Sequence, residues 1–251
     1  MHLQPPPGAS PLVGIALTLV LSVHIGGGVG GVASGFAALL FPKGSRPHRQ
    51  AGDVFVICLL VLSATGAATA PFLPVHPSQR AGTVLLGIVT GYLVATGWAT
   101  ARRSPGAGTG QVERAATLVP LVTSLAMFVL ALMWTRDLKT YGQVQTIVTF
   151  VVAALMAACA MADVSVILRR VLSARQRLVR HLWRMCTGLL LATAGGLAQS
   201  GVVDLLPKAL RTAPVIASPV IAILLLMSFW LARVGLSSAW KPPVTRRADP
   251  A

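Results

Sequence analysis

An all-helical membrane bundle of seven transmembrane helices, amino terminus outside and carboxyl terminus cytoplasmic, is the fold this sequence predicts, on three observations. Hydrophobic side chains make up 55% of the 251 residues and charged ones only 11%, against roughly 25% charged in an ordinary soluble domain. Seven windows of about 20 or more mostly apolar residues follow one another, each long enough as a helix to cross roughly 30 Å of hydrocarbon. None shows the alternation of a barrel strand. Lipid offers no partner to unpaired backbone groups, so each window reads as a helix.

The first span, Leu12 to Phe41, follows a tail from Met1 to Ser10 that holds three consecutive prolines and no Lys or Arg, unlike the basic start of a cleaved secretory signal. The second, Asp53 to Leu73, is introduced by Ser45-Arg46-Pro47-His48-Arg49, with Ser45 or Arg46 suited to a cap and Pro47 to the first helical turn. The third, Ala81 to Ala101, lies between the loop around His76 and Arg102-Arg103. A turn rich in Gly, Ser and Pro, Ser104 to Gly110, leads to the fourth, Ala115 to Trp134. The fifth runs Tyr141 to Leu168, the sixth Leu182 to Val203 and the seventh Pro214 to Leu236. A basic tail from Lys241 to Ala251 reads as lying near anionic headgroups.

Orientation follows from charge. With the amino terminus outside, sixteen of the 21 Lys and Arg residues fall in inner segments and five, Arg80, Arg136, Lys139, Lys208 and Arg211, in outer ones. Positive-inside bias therefore supports an odd number of spans. The same distribution argues against nucleic-acid binding, which needs a basic face on a soluble fold. No loop is long enough to fold alone, so residues 1–251 form a single membrane domain. Cys58, Cys159 and Cys186 all fall inside spans, so neither a disulfide nor a CxxC metal motif is expected. Trp98, Trp134, Trp183, Trp230 and Trp240 lie toward span ends and read as headgroup anchors.

Ionisable groups in a bilayer are costly, so the rare ones are the best functional pointers. His24 lies about 18 residues before Pro42, near 27 Å up its helix toward the outer side. It shares a face with Gly27, Gly28, Gly31 and Gly35. This groove has two readings: a small-residue seam for a neighbouring helix, or room for a flat cofactor such as haem with His24 as axial ligand. Gly26 to Gly31 also matches GxGxxG, with Asp53 beyond it. A dinucleotide site needs a strand before that motif, and here both flanks are one apolar span.

A second cluster lies at the inner boundary. Arg49 and Asp53 stand four apart and can pair, while Asp163 lies about six residues short of Arg169, near the inner end of the fifth span, and His181 and Arg184 begin the sixth. His48, Arg49, Asp53, Asp163, His181 and Arg184 thus come to similar depth. Snorkelling arginines and a neutralising Asp163 explain this structurally. Functionally, His48 and His181 form a ligand pair, a haem iron being the metal, or a proton-transfer pair tuned by the carboxylates. In the sixth span His181, Met185, Gly188, Ala192, Gly195 and Gln199 share one face, where Gln199 is expected to bond a neighbouring helix. His76, between Pro74 and Pro77, reads as a solvated loop residue.

Several blocks carry a family resemblance: His24-Ile25 with its glycines, Ala37-Ala38-Leu39-Leu40, Lys43-Gly44, His48-Arg49 with Gly52, and Tyr92-Leu93-Val94-Ala95-Thr96 through Trp98. Asp163, Arg180-His181-Leu182-Trp183-Arg184-Met185-Cys186, and Phe229-Trp230-Leu231 through Arg233-Val234 complete them. On these the chain resembles a bacterial family of integral membrane proteins, the domain of unknown function 2306. The resemblance implies a multi-pass protein of the bacterial cytoplasmic membrane. It implies no settled activity, and it covers His24, His48, Asp163, His181 and Arg184. This chain departs from that family's late aromatic residues with Gly195-Gly196-Leu197-Ala198-Gln199, which weakens any role for the outer half of the sixth span. Histidine placement alone also resembles the haem-b carriers of the cytochrome b561 type.

Three activities follow as expectations. The leading one is transmembrane electron transfer through haem b, with His48 and His181 as inner axial ligands, His24 at an outer site, and a redox partner. The alternative is a proton-coupled carrier of a small solute through a polar pathway of Asp163, Arg184 and the histidines. The third is a non-catalytic assembly protein whose histidines hold helices together.

Overall fold

A computed structural model of the chain describes residue 8 and residues 10–104, 110–169 and 171–237, without the side chains of residues 112, 113 and 200. Most of the expected exposed tail, most of the Ser104 to Gly110 turn, Trp240 and the basic tail lie outside the described residues. Helix α1 runs Pro11–Leu40, α2 Arg46–Thr69 and α3 Pro77–Arg102. A short α4, Gln111–Ala116, leads into α5, Leu118–Thr135. The one-turn α6, Leu138–Tyr141, precedes α7, Gln143–Arg169, and α8 runs Ala174–Leu197. A short α9, Ser200–Val203, precedes α10, Ala213–Leu236.

Local chemistry sets the boundaries. Gly44 takes φ +79° in the turn after α1, a backbone that only glycine adopts without strain. Ser45 then caps α2, its hydroxyl accepting from the His48 amide at 3.3 Å, with Pro47 in the first turn. His76 caps α3: its ring accepts from the Ser78 amide, while the Gln79 side chain accepts from the His76 amide. At α8 Ser173 and Gln176 form a reciprocal capping box. That box starts the helix at Ala174 rather than at the expected Leu182, so an arginine-rich stretch that reads as a connection is helical. The other end moves too, from Val203 to Leu197.

Six helical stretches among the described residues are long and apolar enough to cross a membrane: Pro11–Leu40, Arg46–Phe72, Pro77–Arg102, Arg114–Thr135, Gln143–Arg169 and Ala213–Leu236. Helix α8 is not among them, because Arg175, Arg177, Arg180, His181 and Arg184 occupy its first half. It packs against α3, α10 and α1. The outward faces of α1, α5, α7 and α10 expose Leu19, Leu125, Val151 and Leu225. So much exposed apolar surface fits contact with a lipid bilayer.

Helix α3 organises the interior, touching α2, α5 and α8. Its Val89, Tyr92 and Leu93 join Met127 of α5 and Val152, Met156 and Cys159 of α7 in one core. Its Val94 joins Phe55 and Leu59 of α2, Leu189 of α8 and Ile223 of α10 in another. The three cysteines are free thiols. Trp134 corrects an expectation: it is 2% exposed, stacks on Tyr141 at 5.4 Å and donates to the Ser78 hydroxyl at 3.1 Å. It holds α5 to α3 and α6 instead of anchoring at headgroups.

Candidate functional site

The site lies at the end of the bundle where α2 and α8 begin and α3 and α7 finish. One face of α3 presents Tyr92, Thr96 and Thr100, spaced one helical turn apart. Helix α7 presents Asp163, and α8 presents Arg180 and Arg184, again one turn apart. Asp163 is 4% exposed and Arg184 0%.

These side chains form one network. Arg184 Nη2 meets Asp163 Oδ1 at 2.5 Å, and Arg180 Nη2 reaches the same oxygen at 2.8 Å. The Tyr92 hydroxyl donates to Asp163 Oδ2. Arg184 also donates to the Thr96 hydroxyl and, at 3.2 Å, to the Tyr92 oxygen, while Arg180 Nε donates to Thr100 Oγ1 at 3.1 Å. The two threonine hydroxyls spend their own protons on the carbonyls of Tyr92 and Thr96. Their oxygens are therefore free to accept from the guanidiniums. The Arg184 guanidinium lies 5.1 Å from the Tyr92 ring centre and 5.3 Å from that of Trp183, a cation–π arrangement. Arg180 Nη1 and Arg184 Nε remain buried without a hydrogen-bond partner.

A partly open cavity of about 250 Å³ lies beside the network, lined by Thr96, Thr100, Asp163 and Arg180 and walled by Val166 and Ile167. Arg102 and Arg103, at the end of α3, also line it.

His24, His48 and His181 share one hydrogen-bonding habit. His181 Nδ1 lies 3.0 Å from the Gly97 carbonyl, His48 Nδ1 2.9 Å from the Ala38 carbonyl and His24 Nδ1 3.1 Å from the Leu62 carbonyl. A carbonyl only accepts, so each Nδ1 carries the proton, and in a neutral ring Nε2 keeps its lone pair. A histidine tied through Nδ1 to a carbonyl is oriented as metal-ligating histidines are. No group of three or more His, Cys, Asp or Glu able to hold a metal ion occurs among the described residues.

At His24 the surroundings are packed. A Cβ on Gly66 would come within 2.9 Å of its ring, and Thr65 Oγ1 lies 3.2 Å from Nδ1. Helix α2 fills the glycine groove: a Cβ at Gly27 would meet the Cys58 carbonyl at 3.1 Å, one at Gly28 would touch Leu62, and one at Gly31 would run into Leu59. At Gly35 a Cβ would meet Leu189 at 2.7 Å and Phe55 at 2.9 Å. The groove thus holds helix α2.

Two further expectations are corrected. Asp53 pairs with Arg102 at 2.8 Å and accepts from Trp98 at 3.0 Å rather than pairing with Arg49, which is exposed. The end of α3 lies alongside Asp53, and a bidentate guanidinium with an indole outcompetes an i,i+4 contact. Both partners are well exposed, so the bridge adds little stability. Gln199 lies beyond the end of α8 and is exposed, so it makes no bond to a neighbouring helix through its side chain. Sequence reasoning missed Tyr92, Thr96, Thr100 and Arg180 as site residues. Their signal was present in the 92, 96, 100 spacing and in Tyr92 being one of two tyrosines.

Lys43, between α1 and α2, donates to the Ala38 and Leu39 carbonyls and so satisfies the last turn of α1. Partial burial holds its ammonium below the usual lysine range.

Comparison with family models, with curated proteins and with solved structures finds no match.

Proposed function

We propose that the protein is a proton-coupled carrier of a small solute in a bacterial cytoplasmic membrane, and that the cavity beside Asp163, Arg180 and Arg184 is where the solute sits. One observation carries this: a buried carboxylate, paired with the buried Arg184 and the partly buried Arg180, lines with Arg180 a partly open cavity at the end of the bundle. Charged side chains at such depth are expensive and are kept for pathways, and a well-packed apolar cluster stabilises a fold as well as a buried ion pair does, or better. Asp163 is the proton-accepting group of the proposal.

In this reading α8 is the seventh span, tolerated despite its arginines because α1, α3 and α10 shield it. Charge bias then puts the amino terminus outside and the site at the cytoplasmic end. The blocks around His24, His48, Asp163 and Arg184 support membership of the domain-of-unknown-function 2306 family.

The test is uptake by vesicles reconstituted with the purified protein under an imposed pH gradient, across a panel of anionic, cationic and neutral solutes. Protein-dependent uptake that the gradient drives, and that Asp163→Asn abolishes in its folded fraction, is the expected result. No uptake across the panel, or equal uptake by the variant, overturns the proposal.

A second reading, haem-b electron transfer, is favoured by one observation: His48 and His181 both engage carbonyls through Nδ1 and leave Nε2 available. It predicts a Soret band in protein expressed with ample haem, lost in His48→Ala and in His181→Ala. A featureless visible spectrum rejects it.

A further inference from the structure

We infer that the cavity binds an oxyanion, a phosphate or carboxylate group carrying about one negative charge, with Arg180 as its principal ligand. The inference rests on the carrier reading for how such a group is used, though not for its binding. Charge counting leads to it. Asp163 is the one carboxylate within ion-pair distance of Arg180 or Arg184 among the described residues, so the trio carries one surplus positive charge. Arg102 is already engaged by Asp53.

Arginine does not shed its proton in a protein, so the surplus cannot disappear by titration of Arg180 or Arg184. Protonating Asp163 would only enlarge it. A water can satisfy an orphan N–H but cannot neutralise a charge, and an uncompensated buried charge is costly. An anion does both.

Hydrogen-bonding chemistry points the same way. Arg180 spends Nε on Thr100 and Nη2 on Asp163, and its Nη1 has no acceptor although it is buried. Arg180 lines the cavity beside Thr96 and Thr100. Arg180, a residue of the cavity wall, thus keeps one N–H group without an acceptor, the complement of a group rich in lone pairs. Two sources carry that group at the end of a membrane helix bundle: a free anion from water, or an anionic lipid headgroup entering between helices.

The experiment uses the full chain, delipidated in an uncharged detergent and chloride buffer at constant ionic strength. Inorganic phosphate, acetate, and phosphatidylglycerol against phosphatidylcholine in mixed micelles are titrated, with the thermal midpoint and calorimetric binding as readouts. Stabilisation by phosphate or acetate identifies a free anion, and stabilisation by phosphatidylglycerol alone identifies a headgroup; either supports the inference. Arg180→Gln removes the surplus charge yet leaves Asp163 paired with Arg184, so it should fold and bind the active probe about tenfold or more weakly. Thr100→Val, which keeps every charge, should weaken binding a few-fold and serves if Arg180→Gln is not recovered folded. No response to any probe, or an undiminished response in both variants, overturns the inference. Anion binding without flux leaves this site standing and removes the carrier reading. Flux of a solute without anion binding does the reverse.

Discussion

Replacing Asp163 by Asn is expected to destabilise the folded chain by about 3–5 kcal/mol, the cost of removing one partner from a buried ion pair. Two guanidiniums within 2.8 Å of one carboxylate oxygen would be left with no counter-charge. Asparagine keeps an oxygen that can still accept from Tyr92 or Arg184, so the loss isolates charge from hydrogen bonding. Chemical or thermal unfolding in detergent measures it. A loss below about 1 kcal/mol would mean that water reaches the trio freely and that the cavity is a solvated cleft.

The same cluster permits a sharper separation of stability from function. Replacing all three ionised groups by apolar ones, Asp163→Leu with Arg180→Met and Arg184→Met, should recover most of what Asp163→Asn loses, because exchange of a buried ionic triad for packed hydrophobes is neutral to favourable. Flux should not return. A chain that folds better without its charges and transports nothing would show that the charges are kept for what they bind.

Much of the fold was legible and less of the site, for one physical reason. Whether a segment is a membrane helix depends on its own composition, which is why the apolar runs at Pro11–Leu40, Pro77–Arg102 and Ala213–Leu236 can be read directly. Which face meets which neighbour depends on other helices. Asp53 therefore looked like a partner for Arg49, four residues away, while its actual partners Trp98 and Arg102 come from α3. Asp163 and Arg184 were legible because charge is rare in apolar runs. Thr96 and Thr100 were not, since threonine in a membrane helix ordinarily bonds its own preceding turn, as both do here in addition to accepting from the arginines. The start of α8 was hidden because its first two turns are too basic to look like a span, and only the Ser173–Gln176 box marks it.

The second large effect concerns a position the sequence did not bring forward. Gly87 to Gly91 is a GxxxG pair on α3, less visible than the glycine row beside His24. A Cβ on Gly87 would lie 2.9 Å from the Ser63 carbonyl and 3.4 Å from the Ala67 side chain of α2. The nearest atom is backbone, so no rotamer change relieves the clash and the two helices must separate. Gly87→Ala is expected to cost about 1–3 kcal/mol, the range of overpacked cores, despite alanine being the better helix former. Gly26→Ala supplies the control, because a Cβ there meets nothing within 4 Å and the substitution should be neutral or gain up to about 1 kcal/mol from propensity. Since α3 also carries Tyr92, Thr96 and Thr100, displacing it from α2 at Gly87 should weaken anion binding at the cavity without any change to a ligating residue. A Gly87→Ala protein as stable as its parent would mean that α2 and α3 can part at Ser63 without penalty, and α3 would then not be the fixed wall that positions the arginines.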